Sequence, residues 1–160
     1  MKKTKLPFFG VGPVYVGVCM LLTIGGLILN ETGFLESGNL SNIKHESLIV
    51  GTLMIVFGCG IWIYTVFIQK IFLEIKRENL VTSGIYSIVR NPIYSAFFLI
   101  FTGILITAHN VYLLVLPVVF YVFLTILMKR TEEKWLLEKF GSSYIEYCKK
   151  VNRVIPWWRH

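Results

Sequence analysis

Polar and apolar residues in this chain are sorted into blocks. Charged residues are missing from 11–29, from 47–68, from 93–108 and from 111–128. At about 1.5 Å of rise per helical residue, the first two blocks are long enough to cross a hydrocarbon core of roughly 30 Å. The last two are shorter, and only His109 and Asn110 separate them, which predicts a tight helical hairpin with its polar turn near the far interface. A soluble four-helix bundle would carry a polar stripe along every helix. None of these blocks has one. The expected fold is all-α: a polytopic membrane protein whose four spans are these blocks, with interfacial helices in the C-terminal tail.

Composition agrees. A chain of 160 residues has room for one domain, and 55% hydrophobic residues is too many for an ordinary soluble one. Lys2, Lys3 and Lys5 precede the first block, as they would in a secretory signal. That block is long for a signal core, and Asn30-Glu31-Thr32 offers no small-residue cleavage site, so a retained span is expected. Cys19, Cys59 and Cys148 are scattered, with no CxxC and no Cys/His cluster. Neither a disulfide frame nor a metal site is indicated.

Charge orients the spans. The net charge is +7, and fifteen of the sixteen Lys and Arg residues fall before the first span, in 69–92 or in 129–160. The 30–46 loop holds only Lys44, against Glu31, Glu36 and Glu46. The positive-inside rule then places both termini, the 69–92 loop and the 129–160 tail in the cytoplasm, with Trp157 and Trp158 as an interfacial anchor. Most of these cations are accounted for by attraction to anionic lipid. No basic helix stands apart from the membrane, which argues against a nucleic-acid partner.

Ion-coupled transport normally needs charged groups inside the spans, and these spans have none. Chemistry is therefore expected at the cytoplasmic interface, where two segments concentrate polar residues. In the first, Thr82-Ser83-Gly84 signals a turn, and Asn91-Pro92 signals a helix start with Arg90 just outside it. Such a helix start is a potential anion site, although a juxtamembrane turn with Arg90 reaching lipid phosphate explains the same residues. In the second, Leu137, Phe140, Tyr144, Cys148 and Val151 recur at helical spacing, with a break expected at Gly141. An interfacial amphipathic helix accounts for them. It does not account for Glu132 and Glu133, two acids beside a membrane exit rich in Lys and Arg, which read equally as a surface charge pair or as part of a site.

The ordered set Leu80-Val81-Thr82, Gly84, Tyr86, Arg90, Pro92, Tyr94, then Glu132-Glu133, Leu136, Phe140-Gly141, Tyr144, Tyr147, Arg153 and Pro156 resembles the isoprenylcysteine carboxyl methyltransferases and the related phospholipid methyltransferases. The likeness covers 78–156, about half of the chain, with the hairpin in the right place. Glu78 and Asn91 stand where that family has histidines. The first two spans carry no motif.

The resemblance implies a membrane methyltransferase that uses S-adenosylmethionine, bound between the hairpin helices, the loop and the tail. Its expected cofactor contacts are Asn79, Leu80, Val81, Gly84, Tyr86, Arg90, Asn91, Pro92, Tyr94, Glu132 and Glu133. Glu133 is the first choice for the cofactor ammonium, and Arg90 with the amides at the Asn91-Pro92 helix start for its carboxylate. Arg90 and Arg153 are the expected catalytic residues, and Tyr144, Tyr147 and Arg153 the expected acceptor contacts. The acceptor it implies is a small amphiphilic or lipid-linked molecule, with a prenylcysteine-like carboxylate leading and a phospholipid amine or another lipophile as the alternative. A membrane reductase, a scaffold and a transporter are the rival classes, and cofactor binding separates them. No histidine is expected in catalysis, because His45 and His109 fall on the far side and His160 is the last residue.

Overall fold

The computed structural model describes residues 10–77 and 79–156. It is all-helical, and the four apolar blocks form the four longest apolar helices. α1 (Gly12–Glu31) starts with a proline in its first turn, where the missing N–H costs nothing. α2 (Lys44–Ile63) runs on through a π-helical turn at Tyr64–Ile68. A left-handed residue, Lys70 (φ 49°), then turns the chain into the short α3 (Ile71–Lys76). α4 (Pro92–Thr107) and α5 (Val115–Arg130) form the expected hairpin. α6 (Glu132–Lys150) bends at Gly141 (φ 53°, ψ −125°), as its sequence predicts. Glu78, Trp157, Trp158 and His160 lie outside the described residues, as do the N-terminal lysines.

α4 is the hub. It packs on α1, α2 and α5, and α1 also packs on α5. The tightest contact is with α2: a Cβ at Gly51 would stand 2.6 Å from the Gly103 carbonyl oxygen, and one at Gly58 would stand 2.8 Å from that of Ala96. Lipid tails are as apolar as leucine, so small residues that let backbones approach are what hold such helices together. A core of Tyr15, Cys19, Phe101, Leu105, Phe120, Leu124 and Met128 joins α1, α4 and α5. Large apolar side chains such as Leu21, Phe57 and Val118 point outward, as they do in a multi-pass membrane protein.

The polar hairpin turn is buried under the neighbouring loop. Asn110 is 2% exposed, and its amide donates to Asn30 Oδ1 at 2.8 Å and to the Leu35 carbonyl at 2.7 Å. The His109 carbonyl accepts from the Leu40 N–H at 2.7 Å. Both connections at that end are thereby tied into one cap, because buried polar groups need partners. The opposite end gathers the start of α1, α3, the 79–91 loop and α6.

Candidate functional site

Three pieces of chain converge around the start of α4. The strand-like stretch after α6 lies beside it: the Arg90 N–H donates to the Asn152 carbonyl at 2.8 Å and the Asn91 N–H to the Arg153 carbonyl at 3.1 Å. The Ser95 hydroxyl donates to the Val154 carbonyl at 2.6 Å. Asn91 occupies the cap position, but its side chain does not cap; the amide donates to the Arg153 carbonyl at 3.1 Å. The helix start is thus covered by the tail. The Asn91 N–H, one of the amides at the helix start expected to meet an anion, is used in this pairing.

Within this frame sits a nearly buried ion cluster. Arg153 holds Glu133 with two hydrogen bonds, 2.7 and 3.0 Å long. Arg90 adds a third contact to Glu133 at 3.3 Å, with its side chain only 8% exposed. Arg90 also donates to the Tyr144 hydroxyl and to Cys148 Sγ, and its guanidinium lies over the Tyr144 ring. Its Nε, however, is buried without a partner. Burial opposes the Arg153 charge, but the hydrogen bonds and charge of Glu133 outweigh it and hold that pKa above its ordinary value. Two guanidinium groups share one carboxylate.

Glu132 points elsewhere. Its carboxylate accepts from the Val11 N–H at 2.8 Å and from the Tyr94 hydroxyl at 2.5 Å. Burial pushes its pKa up, against the pull of those two hydrogen bonds, and the nearby Glu133 adds to the rise. Gly10, at φ +53°, leaves the space that the carboxylate fills.

A cavity of about 420 Å³ lies beside these groups. Of the residues expected at the site, Asn79, Leu80, Val81, Tyr86, Arg90, Asn91, Tyr94, Glu132, Tyr144 and Tyr147 line it. Gly84, Pro92, Glu133 and Arg153 do not. Gly84 instead opens the 84–87 turn at φ +63°, against the side chain of Gln69. That turn presents Tyr86, whose carbonyl accepts from the Tyr147 hydroxyl at 2.5 Å. Asn79 is held by Glu74 at 3.0 Å. Burial raises the hydroxyl pKa values of Tyr86, Tyr144 and Tyr147, so at neutral pH these groups are neutral hydrogen-bond donors.

The rest of the lining comes from places without a motif: Gly12, Pro13 and Val16 of α1, Trp62 of α2, Phe72 and Ile75 of α3, and Trp135 of α6. The one sequence signal for the α1 contribution is the pair of small residues Gly10 and Gly12, which lets α1 come close to Tyr94.

The family model described as phospholipid methyltransferase matches residues 47–143. The chain belongs to that family. Among curated relatives, this phospholipid methyltransferase family member is 38% identical over 90 residues to the protein-S-isoprenylcysteine O-methyltransferase of Saccharomyces cerevisiae, covering 51% of this chain and 35% of that protein. It is 41% identical over 82 residues to the enzyme of the same name from Schizosaccharomyces pombe, covering 51% and 34%. A third relative, methanethiol S-methyltransferase 1 of Bradyrhizobium diazoefficiens, is 32% identical over 78 residues, covering 49% and 26%. The matches thus span between a quarter and about a third of these relatives' length. α1, which lies before the matched region, nonetheless walls the cavity, and Val11 just ahead of it supplies one of the two hydrogen-bond partners of Glu132.

Proposed function

We propose that the protein is an integral membrane methyltransferase that moves a methyl group from S-adenosylmethionine to a small amphiphilic or lipid-linked acceptor, with a prenylcysteine-like carboxylate as the leading acceptor. The observation that carries this reading is the cavity itself. It joins an acid, a buried arginine with a free Nε and neutral tyrosines to an apolar pocket at the membrane boundary. Its volume falls in the range of cofactor and ligand sites, roughly 300–1,000 Å³.

The donor set fits the cofactor. Glu132, which lines the cavity where Glu133 does not, is the acid assigned here to the cofactor ammonium, and the Arg90 guanidinium is assigned to its carboxylate. Tyr86, Tyr94, Tyr144 and Tyr147 supply faces and hydroxyl groups along the wall. S-adenosylmethionine supplies an electrophilic methyl group on a sulfonium. The chain's part is alignment and exclusion of water, which is what an in-line displacement chiefly requires. Glu133 holds Arg90 and Arg153 in place, and their excess positive charge favours an anionic acceptor. A carboxylate is ionised at neutral pH and needs no general base, in keeping with tyrosines that stay protonated. A phospholipid amine would first have to lose a proton, and Glu132 is the group available to take it.

The 69–92 loop and the 129–156 part of the tail lie at one end of the helices, which supports treating the whole chain as one membrane domain. With the charge asymmetry, it also supports a cytoplasmic site in the cell membrane with both termini inside. The test is calorimetric titration of the purified protein in detergent with S-adenosylhomocysteine and, separately, with NADPH. Binding of the first and not the second is expected. The reverse result would replace this reading with a membrane reductase.

A further inference from the structure

The apolar end of the cavity has a geometry of its own. α1 and α2 both pack on α4 but barely touch each other, which leaves a gap between these two helices. Val16 lines the cavity from α1, Trp62 from α2, and Ile93 and Phe97 from α4. Val16 is four residues beyond Gly12 and Phe97 five beyond Pro92, so both lie only about 6–8 Å past their helix starts. Gly58 stands against Ala96 and Ile100, and one turn further along this antiparallel pair Trp62 comes level with the first turn of α4. Trp62 is therefore nearer the interface, on the α2 side of the gap, while Val16 and Phe97 form a shallow floor.

We propose that Trp62 is the specificity-determining residue for the apolar part of the methyl acceptor. A short chain rests wholly on the Val16–Phe97 floor, packed by the indole. A longer one must turn out between α1 and α2, past that same indole. This rests on the methyltransferase reading above, and it assigns selectivity to a span in which the sequence shows no motif. An indole serving only as an interfacial anchor would affect every acceptor alike.

The experiment uses the full chain in detergent, S-adenosylmethionine, and N-acetylcysteines carrying prenyl, geranyl or farnesyl groups. Trp62→Ala should raise the farnesyl-to-prenyl ratio of kcat/KM by about tenfold, mainly through KM, as expected when a pocket wall loses several carbons. Affinity for S-adenosylhomocysteine should not change. Trp62→Phe, which removes only part of the indole, should move the ratio the same way by less. If Trp62→Ala does not fold, judged by aggregation in gel filtration, Trp62→Phe decides the question by the same ratio. An unmoved ratio in active variants overturns this inference alone. Failure of the wild type to methylate any of the series, together with no S-adenosylhomocysteine binding, overturns the methyltransferase reading and this inference with it.

Discussion

The carboxylate of Glu132 accepts a 2.8 Å hydrogen bond from the backbone N–H of Val11, 121 residues earlier in the chain. The neighbouring acid, Glu133, is instead enclosed by Arg90 and Arg153. The two acids therefore have different consequences when neutralised. Glu132→Gln should leave the fold intact and weaken S-adenosylhomocysteine binding at least tenfold, the loss expected for a charge-assisted contact worth about 1.5–3 kcal/mol. Glu133→Gln strands two nearly buried guanidinium groups, and removing one partner of such a cluster typically costs about 3–5 kcal/mol. It should lower the melting temperature first. Calorimetry and thermal unfolding of both variants check this; a stable Glu133→Gln protein that alone loses affinity would reverse the assignment.

The pH dependence follows from the same burial. Glu132 has its pKa raised above the ordinary value of 4.5. Between pH 4.5 and its folded value, the native protein keeps a proton that the unfolded chain has released. Stability from this group therefore falls as pH rises through that window. The melting temperature of Glu132→Gln relative to wild type should climb across it and level off above. Melting curves taken from acidic to mildly alkaline pH measure the trend. A constant offset at every pH would count against a raised Glu132.

Topology is testable with single cysteines. Ser37 is exposed in the far loop and Lys134 is exposed on α6, whereas Gly38 is packed against Asn110 and Tyr112 and would not accept a side chain. With the native cysteines replaced by serine, a cysteine at position 37 should react with an impermeant maleimide from outside intact cells. One at position 134 should react only after the membrane is opened. The opposite pattern would turn the proposed site outward.

Histidine should be dispensable. His45 and His109 sit at the end of the bundle opposite the cavity. His109 has φ 40°, a conformation that asparagine also tolerates, so His109→Asn is the mildest exchange there. Replacement of all three histidines should keep methyl transfer near the wild-type rate across neutral pH. Lost turnover in a folded variant that still binds S-adenosylhomocysteine would show that a histidine takes part.

The spans were legible because the membrane forbids unpaired charge, so four uncharged blocks can be read without knowing any contact. The site was legible only as a set of residue types. Arg90, Tyr94 and Glu132 are recognisable in the sequence, but which of two adjacent acids faces the cavity depends on how α6 is rotated at its first turn, and Thr131 (φ −128°, ψ −87°) sets that locally. Asn91 carried a good cap signal that lost to a competing acceptor, the Arg153 carbonyl, supplied from 62 residues away. Val11 carried no signal at all, because a backbone N–H is common to every residue except proline. Trp62 reads as one more apolar residue in a span until the fold sets it in the cavity wall.

The glycine seam between α2 and α4 also has a mechanical consequence. The 16 residues of α4 rise about 24 Å, less than a hydrocarbon core of roughly 30 Å. Its partner carries the 22-residue uncharged run 47–68, which rises about 33 Å and matches that core. Helices joined through Gly51, Gly58 and Gly103 cannot slide to even out that difference. The bilayer must deform instead, pinching at the short helix at a cost of fractions of a kcal/mol per Å. Ile93 and Tyr94, in the first turn of this short helix, line the cavity, so membrane thickness is expected to act on that wall.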